Sequence, residues 1–333
     1  SNDFPATSAK GVTHEHCRGV SIMSVLIVGA GAGGGYIGAQ LIAAGRDVTF
    51  LVHPGTLKRL TRDGLRVRGA AGVQTVQVKA VAVEGLNGPY DVVVVAVRAD
   101  AVESVIRDIN GAVGPRTRIV PIVNGIGHLS LLTAAFGQDR VLGATARLAA
   151  SLLPDGTIDV LAPGVHMELG QLDGGHSDAL DNTVAELDVD NVAVTLRSDV
   201  ISAMWEKFAL ITATAALTCL VGEPIGPIAQ ADGGIDLARA ILAEVASVAE
   251  AEGHPLAANV RAGLDAILTD PSSTSSPSMF RDLQANRPVE VDVLADLAAH
   301  ARNHRLSTPL VDASIVVIDV HNRRLGAPRS AAH

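Results

Sequence analysis

The run Val25-Leu26-Ile27-Val28-Gly29-Ala30-Gly31-Ala32-Gly33-Gly34-Gly35-Tyr36 decides how the rest of the chain is read. Four apolar residues suited to a buried strand lead into glycines, and a helical stretch over 35–44 follows. Gly29, Gly31 and Gly34 fit the spacing G-x-G-x-x-G. Gly29 permits a tight turn, Gly31 lets the backbone approach a pyrophosphate, and Gly34 lets helix and strand pack closely. The first N–H groups of the helix have no partner within it and attract phosphate. Glycine is a common turn former, so the spacing alone is weak. The strand-turn-helix context gives it specificity. A dinucleotide bound at Gly29, Gly31, Ala32, Gly33 and Gly34 is the expectation.

Outward from this turn, short β-rich runs at 47–52, 91–97 (D-V-V-V-V-A-V) and 118–123 alternate with helical stretches at 56–63 and 99–109. Continuous β-branched runs suit parallel strands buried on both faces. Their alternation with helices predicts an α/β fold, a Rossmann doubly wound sheet with right-handed crossovers. Segments near 157–160, 165–169 and 192–196 read as later strands closing this domain. Beyond Ser198 the character changes, with helices expected at 199–220, 235–252, 256–268, 289–303 and 310–321 and breaks at 222–227 and 253–255. The organisation expected is a polar extension over 1–22, a Rossmann domain over 23–197, an all-helical C-terminal domain over 198–326 and a tail over 327–333. The Ser- and Pro-rich stretch 270–278 reads by composition as a flexible linker.

The tip of the second strand bears on cofactor choice. NAD sites usually carry Asp or Glu there to hold the ribose hydroxyls. This chain has Val52-His53-Pro54-Gly55, with Lys58 and Arg59 close behind. An imidazole beside a 2′-phosphate favours NADP, with NAD left open. The plainer reading is a loop histidine ahead of a solvated basic helix face.

Composition narrows the function classes. The 333 residues are 48% hydrophobic and 18% charged, a globular balance with room for two domains. A formal net charge of −9 and 2% aromatics speak against a nucleic-acid partner, which needs cations and stacking rings. Two cysteines, Cys17 and Cys219, make no disulfide framework, and a reducing cytoplasm is the expected setting. The apolar run over 211–221 is interrupted by threonines and reads as a buried helix, so no membrane span is expected. The first residues lack the apolar core of a signal peptide. His14-Glu15-His16-Cys17 has metal-ligand residue types, but a solvated tail preforms no geometry, so no metal site is expected.

Several segments, in order, carry a resemblance to the ketopantoate reductase (2-dehydropantoate 2-reductase) family. They are G-A-G-A-G-G-G-Y at 29–36, V-N-G-I-G-H at 123–128, M-W-E-K at 204–207, S-M-F-R-D-L at 278–283 and V-E-V-D at 289–292. The likeness runs from Met23 to about Leu325. It implies a C-terminal domain of the 6-phosphogluconate dehydrogenase C-terminal-like kind. It also implies NADPH-dependent reduction of a 2-oxo acid, by default 2-dehydropantoate to pantoate in pantothenate biosynthesis. By this resemblance Lys207 matches the lysine that protonates the carbonyl oxygen, and Glu290 the acid that interacts with that lysine and the substrate hydroxyl. Ser278 matches a substrate-contacting serine, and Asn124 an asparagine beside cofactor and substrate. His53 stands where many members carry an arginine for the 2′-phosphate. Arg98 stands where many carry a lysine.

The chemistry agrees: hydride arriving at a ketone builds charge on oxygen, and a buried lysine with a lowered pKa can stabilise and protonate it. Taken singly, Lys207 is an ordinary helix lysine, Glu290 a first-turn helix acid and Ser278 a loop serine. The chain also departs from the pattern. Where the catalytic helix usually presents two asparagines there are Ile211 and Ala215, with Thr214 near that face as a substitute substrate contact; Asp296 falls where a glycine is common. Lost amides put the usual substrate in question. A divergent paralogue acting on a more apolar 2-oxo acid is one alternative, and a non-catalytic NADP(H) sensor another. A 6-phosphogluconate-type or 3-hydroxy acid dehydrogenase shares the plan but not the motif order. The alanine-rich helical domain offers a face for a homodimer without a decisive patch.

Overall fold

The computed structural model describes residues 23–274 and 276–326; the segment containing His14-Glu15-His16-Cys17 and the stretch 327–333 lie outside the described residues. The N-terminal half runs β1 (Ser24–Val28), α1 (Ala32–Ala43), β2 (Asp47–Leu51), α2 (Pro54–Asp63), β3 (Leu65–Gly69), β4 (Gly72–Val76), β5 (Lys79–Val81), β6 (Tyr90–Val95), α3 (Val102–Asp108), β7 (Val113–Pro121), α4 (His128–Phe136), β8 (Leu142–Leu152), β9 (Ile158–Gln171), α5 (Asp178–Leu187) and β10 (Val192–Leu196). Its first sheet has the order β5-β2-β1-β6-β7, and every pairing in it is parallel.

This sheet is buried on both faces. Val25 and Ile27 of β1, with Val92 and Val94 of β6, enter a core shared with Ile37 and Leu41 of α1. The alternate residues Leu26, Val28, Val93 and Val95 enter a second core with Val102 of α3 and Leu132 of α4. Two apolar faces explain why these strands read as unbroken hydrophobic runs.

The strands expected to extend this sheet do not join it. They form a second sheet, β10-β9-β3-β4, with β8 antiparallel to β9. The segments at 157–160 and 165–169 are one long strand, β9. This sheet packs on α1, where glycine makes room: a Cβ on Gly35 would stand 2.4 Å from Ile158 Cδ1. The sheet thus covers the α1 face of the parallel sheet, much as a further helix would.

The C-terminal half runs α6 (Val200–Val221), α7 (Ile225–Gln230), α8 (Gly234–Ala251), α9 (Ala258–Leu268), α10 (Ser278–Gln284), α11 (Asp292–Asn303) and α12 (Pro309–Arg324). Helix α6 is long and apolar enough to cross a membrane by length and composition, yet 67% of its most apolar window is buried inside the protein. Phe208 and Leu217 of α6 share a core with Ile241 and Val245 of α8, Phe280 of α10, Leu297 of α11 and Ile318 of α12. The helix ends at Gly222, whose left-handed φ of 79° suits a residue without a Cβ.

Three local expectations change. The break at 222–227 contains the start of α7. The helix expected over 289–303 begins at Asp292, leaving Glu290 in the approach to it. The 270–278 segment is not a free linker: the Gly226 N–H donates to Ser273 O at 3.1 Å, and Gln230 Nε2 to Pro271 O at 2.7 Å.

Within the glycine turn the backbone approaches closely at Gly34, where a Cβ would lie 2.4 Å from Gly29 O and 2.7 Å from Ala96 Cβ. Neither neighbour is the flexible end of a long side chain, so α1 must move away from β1 to accept a methyl group. Gly34→Ala should therefore lose roughly 1–3 kcal/mol of stability, the usual range for overpacking. A thermal melt beside wild type checks this, and an unchanged midpoint contradicts it.

Candidate active site

The two halves enclose a cleft of ≈ 1240 Å³, and every residue to which the sequence assigned a catalytic, substrate or cofactor contact lines it. The turn after β1 contributes Gly29, Gly31, Ala32, Gly33 and Gly34; the loop after β2 contributes His53, and that after β6 Arg98. Asn124 comes from the loop after β7, Lys207 and Thr214 from α6, Ser278 from the start of α10, and Glu290 from the approach to α11.

The glycine turn suits a dinucleotide. Gly29 has φ +96°, and a Cβ there would stand 2.6 Å from Ala96 O. The Cβ position of Gly31 meets nothing within 4 Å, leaving open space for a ligand against the backbone. Helix α1 starts at Ala32 with no side-chain cap and no acidic residue in its first turn. Its leading N–H groups are left for an anion.

Beyond the turn, no carboxylate stands at the tip of β2. His53 is exposed there as the N-cap of α2. Arg59 also lines the cleft and donates from Nη1 to Gly156 O at 3.0 Å, whereas Lys58 faces solvent. The basic helix face is therefore only partly solvated.

Lys207 sits inside the cleft wall on α6. Burial pushes its pKa down to about 8; the nearby Arg147 guanidinium pushes the same way and the Glu290 carboxylate opposes them. Glu290 is raised from the ordinary carboxylate range by burial, opposed by the N–H of Ala99, which donates to Oε1 at 3.0 Å, and by Arg98. Among the described residues, no ion pair joins Lys207 to Glu290; they interact through space while Ala99 anchors the acid. A cavity of ≈ 10 Å³, about the size of one water, adjoins Lys207 between Asn124, Thr145 and Ile211. His128 is 4% exposed, and neither ring nitrogen has a partner among the described residues. Burial pushes its pKa down to about 3, helped by Lys207, so it adds no competing charge beside the lysine.

The helix face turned to the cleft is Lys207, Leu210, Ile211 and Thr214. Of the two positions that usually hold asparagine, only Ile211 lines the cleft; Ala215 is fully buried in the helical core. The Thr214 hydroxyl donates to Leu210 O at 2.7 Å, with Ile211 O at 3.1 Å. Its single proton is committed to its own helix, so it can offer substrate only an acceptor.

Arg147, Ser276 and Arg281 also line the cleft and were not anticipated from the sequence. Arg281 Nη1 donates to Ser276 O, and the buried Ser276 hydroxyl has no partner among the described residues. A lone arginine in the small-residue run L-G-A-T-A-R-L-A-A was the available signal for Arg147. Nothing in the Ser-rich stretch set Ser276 apart from its neighbours.

Comparison with known proteins agrees with this architecture. Two family models, described as Ketopantoate reductase PanE/ApbA and its C-terminal part, match residues 25–174 and 199–321. A Bacillus subtilis (strain 168) protein described as "Uncharacterized oxidoreductase YkpB" is 28% identical, covering 87% of this chain and 96% of its own. The solved structure of 2-dehydropantoate 2-reductase from Geobacter metallireducens GS-15 is 27% identical, covers 90% of this chain and 99% of its own, and has a TM-score of 0.79. D-mandelate dehydrogenase, solved with NADH and anilino(oxo)acetate, is similar in fold at a TM-score of 0.83 and 18% identity, covering 92% of this chain and 100% of its own. With both halves of the chain matched and the glycine turn, lysine helix and late acidic segment gathered at one cleft, this protein belongs to the ketopantoate reductase family of oxidoreductases.

Proposed function

We propose that this protein reduces a 2-oxo acid to the corresponding 2-hydroxy acid with NADPH. 2-Dehydropantoate is the default substrate and a more apolar 2-oxo acid the second reading. The observation that carries the proposal is convergence: Asn124, Lys207, Ser278 and Glu290, far apart in sequence, line one cleft with the glycine turn.

The reduced nicotinamide, when bound, supplies the hydride that adds to the carbonyl carbon. The protein's own task is the oxygen. As negative charge develops there, Lys207 stabilises it and transfers a proton from Nζ, completing the alcohol. A donor near pH 8 is still mostly protonated at neutral pH yet gives up its proton more readily than an exposed lysine. Glu290, held by Ala99, orients the ammonium and accepts from the substrate hydroxyl. Asn124 and Ser278 offer polar contacts to substrate from opposite halves. His53, with no carboxylate at its strand tip, supports NADP over NAD.

The second reading is favoured by Ile211, which presents a hydrocarbon where an amide would bind a polar substituent, and by Leu210, Ile267 and Met279 in the same cleft. Such a wall accepts an aliphatic or aromatic side chain better than a hydroxymethyl-bearing one.

Replacing Lys207 by Ala should lower turnover by about 10²–10⁴-fold, the usual contribution of a positioned acid. NADPH affinity should be retained. A nucleotide sensor would be indifferent to this change, so undiminished activity or signalling contradicts the proposal.

The lowered lysine pKa also fixes a pH dependence. Above about pH 8 the donor form disappears, so kcat/KM for reduction falls, while oxidation of the 2-hydroxy acid rises as the free amine becomes the base. Initial rates in both directions across that range check the sign. A reduction profile that rises through the same range contradicts it.

A further inference from the structure

Strand β8 carries one charged side chain, Arg147, between small and apolar neighbours. Side chains on a strand alternate between faces. Ala144, Ala146 and Leu148 pack into the core beneath α1, and Leu148 Cδ2 comes within 3.8 Å of the Cβ position of Gly33. Thr145 and Arg147 therefore take the other face, where α6 packs. Thr145 borders the small cavity at Lys207 and donates to Glu168 Oε2 at 3.0 Å.

Glu168 is already satisfied, because Arg197 Nη1 donates to its other oxygen at 2.6 Å. Arg147 Nη2 remains 3.9 Å from Glu168 Oε2, beyond hydrogen-bonding distance, and its side chain is 51% exposed to the cleft. Among the described residues this is the only ion pair the guanidinium makes. The cleft thus holds a half-exposed guanidinium and the Lys207 ammonium on facing elements, with a hydrocarbon, Ile211, one helical turn beyond the lysine.

We propose that Arg147 is the carboxylate clamp of this cleft, taking the C1 carboxylate of the 2-oxo acid through paired N–H donors while Lys207 serves the adjacent carbonyl oxygen. The inference rests on the 2-oxo acid reading above. A planar guanidinium matches a carboxylate with two parallel hydrogen bonds. The carboxylate and carbonyl oxygens of a 2-oxo acid lie on adjacent carbons, so two cations side by side serve both. A pyrophosphate is the less suitable anion here: its donors are the N–H groups of the glycine turn, and the β8 face approaching that turn is the Leu148 face. Recognition of the common acid group thereby falls to β8. Ile211 is left to contact the variable substituent, which selects 2-oxo acids with apolar side chains.

The test compares wild type with Arg147→Met and Arg147→Lys in the full-length, NADPH-loaded protein. Binding of oxamate, an unreactive isostere of a 2-oxo acid, is measured by titration calorimetry. Arg147→Met should weaken oxamate binding roughly ten- to a hundredfold, as expected for charge-assisted hydrogen bonds. Arg147→Lys should restore part of the loss, and NADPH affinity should stay unchanged. In turnover, KM for the 2-oxo acid should rise far more than kcat falls. Wild type should discriminate between the acid and its neutral amide, and Arg147→Met should not.

Unchanged oxamate binding in Arg147→Met, a parallel loss of NADPH affinity, or no oxamate binding by wild type overturns the clamp. Oxamate binding that depends on Arg147 in a protein that reduces no 2-oxo acid keeps the clamp and sinks the reductase reading. Turnover with a KM indifferent to Arg147 does the reverse.

Discussion

A lysine buried in the wall of the cleft is the constraint around which the candidate site is arranged. Desolvation alone drives Lys207 toward its neutral form. The surroundings moderate that drive without cancelling it. Glu290 favours the charge through space, Arg147 disfavours it, and His128 is buried too deeply to add a charge of its own. The outcome is an ammonium whose pKa falls to about 8, the range that the proposed proton transfer calls for. The helix that carries it, α6, has the length and hydropathy of a membrane span because most of its surface lies in the core of the helical half.

Such a site exists only where the two halves meet, and three backbone N–H groups hold them in register. Ala99 donates to Glu290. Ile126 and Gly127 both donate to Asp296 Oδ2, at 2.9 and 3.0 Å. The Asp296 oxygens occupy space that a Cβ on Gly125 or Gly127 would need, each contact falling at 2.9 Å. An aspartate where the family commonly has glycine is thus matched by glycines opposite it, and it steadies the loop that carries Asn124. Behind it, His300 and His304 both meet Glu252 Oε1, at 2.6 and 3.0 Å, and His300 packs edge-on against Trp205, two residues before Lys207. A polar network on α11 therefore borders the helix that carries Lys207.

Much of this was legible in the sequence, because the physics that builds it is local. A strand, a glycine turn and a helix N-terminus are neighbours in the chain, so this part of the fold could be read from one short run. Parallel strands buried on both faces announce themselves as β-branched runs, as at Val92–Val95. The second sheet was not legible. Its strand β8 is alanine-rich, and β3 and β4 carry charges and glycines, so their pairing is decided by packing on α1. The helix face was read by simple i+4 steps, which put Ala215 beside Lys207; the cleft takes Thr214 instead, because α6 turns its remaining positions into the helical core. Arg147 escaped for the same reason as β8: its meaning depends on a strand whose partner lies across the fold.

The central claim is that the cleft performs reduction and does not merely hold a nucleotide. The most direct measurement is the loss of reduced-nicotinamide absorbance when the purified protein is mixed with NADPH or NADH and a series of 2-oxo acids, from 2-dehydropantoate to aliphatic and aromatic members. The account predicts consumption of NADPH in preference to NADH, dependent on the 2-oxo acid, with one product alcohol formed for each nucleotide oxidised. Tight NADPH binding with no oxidation by any member of the series would contradict it.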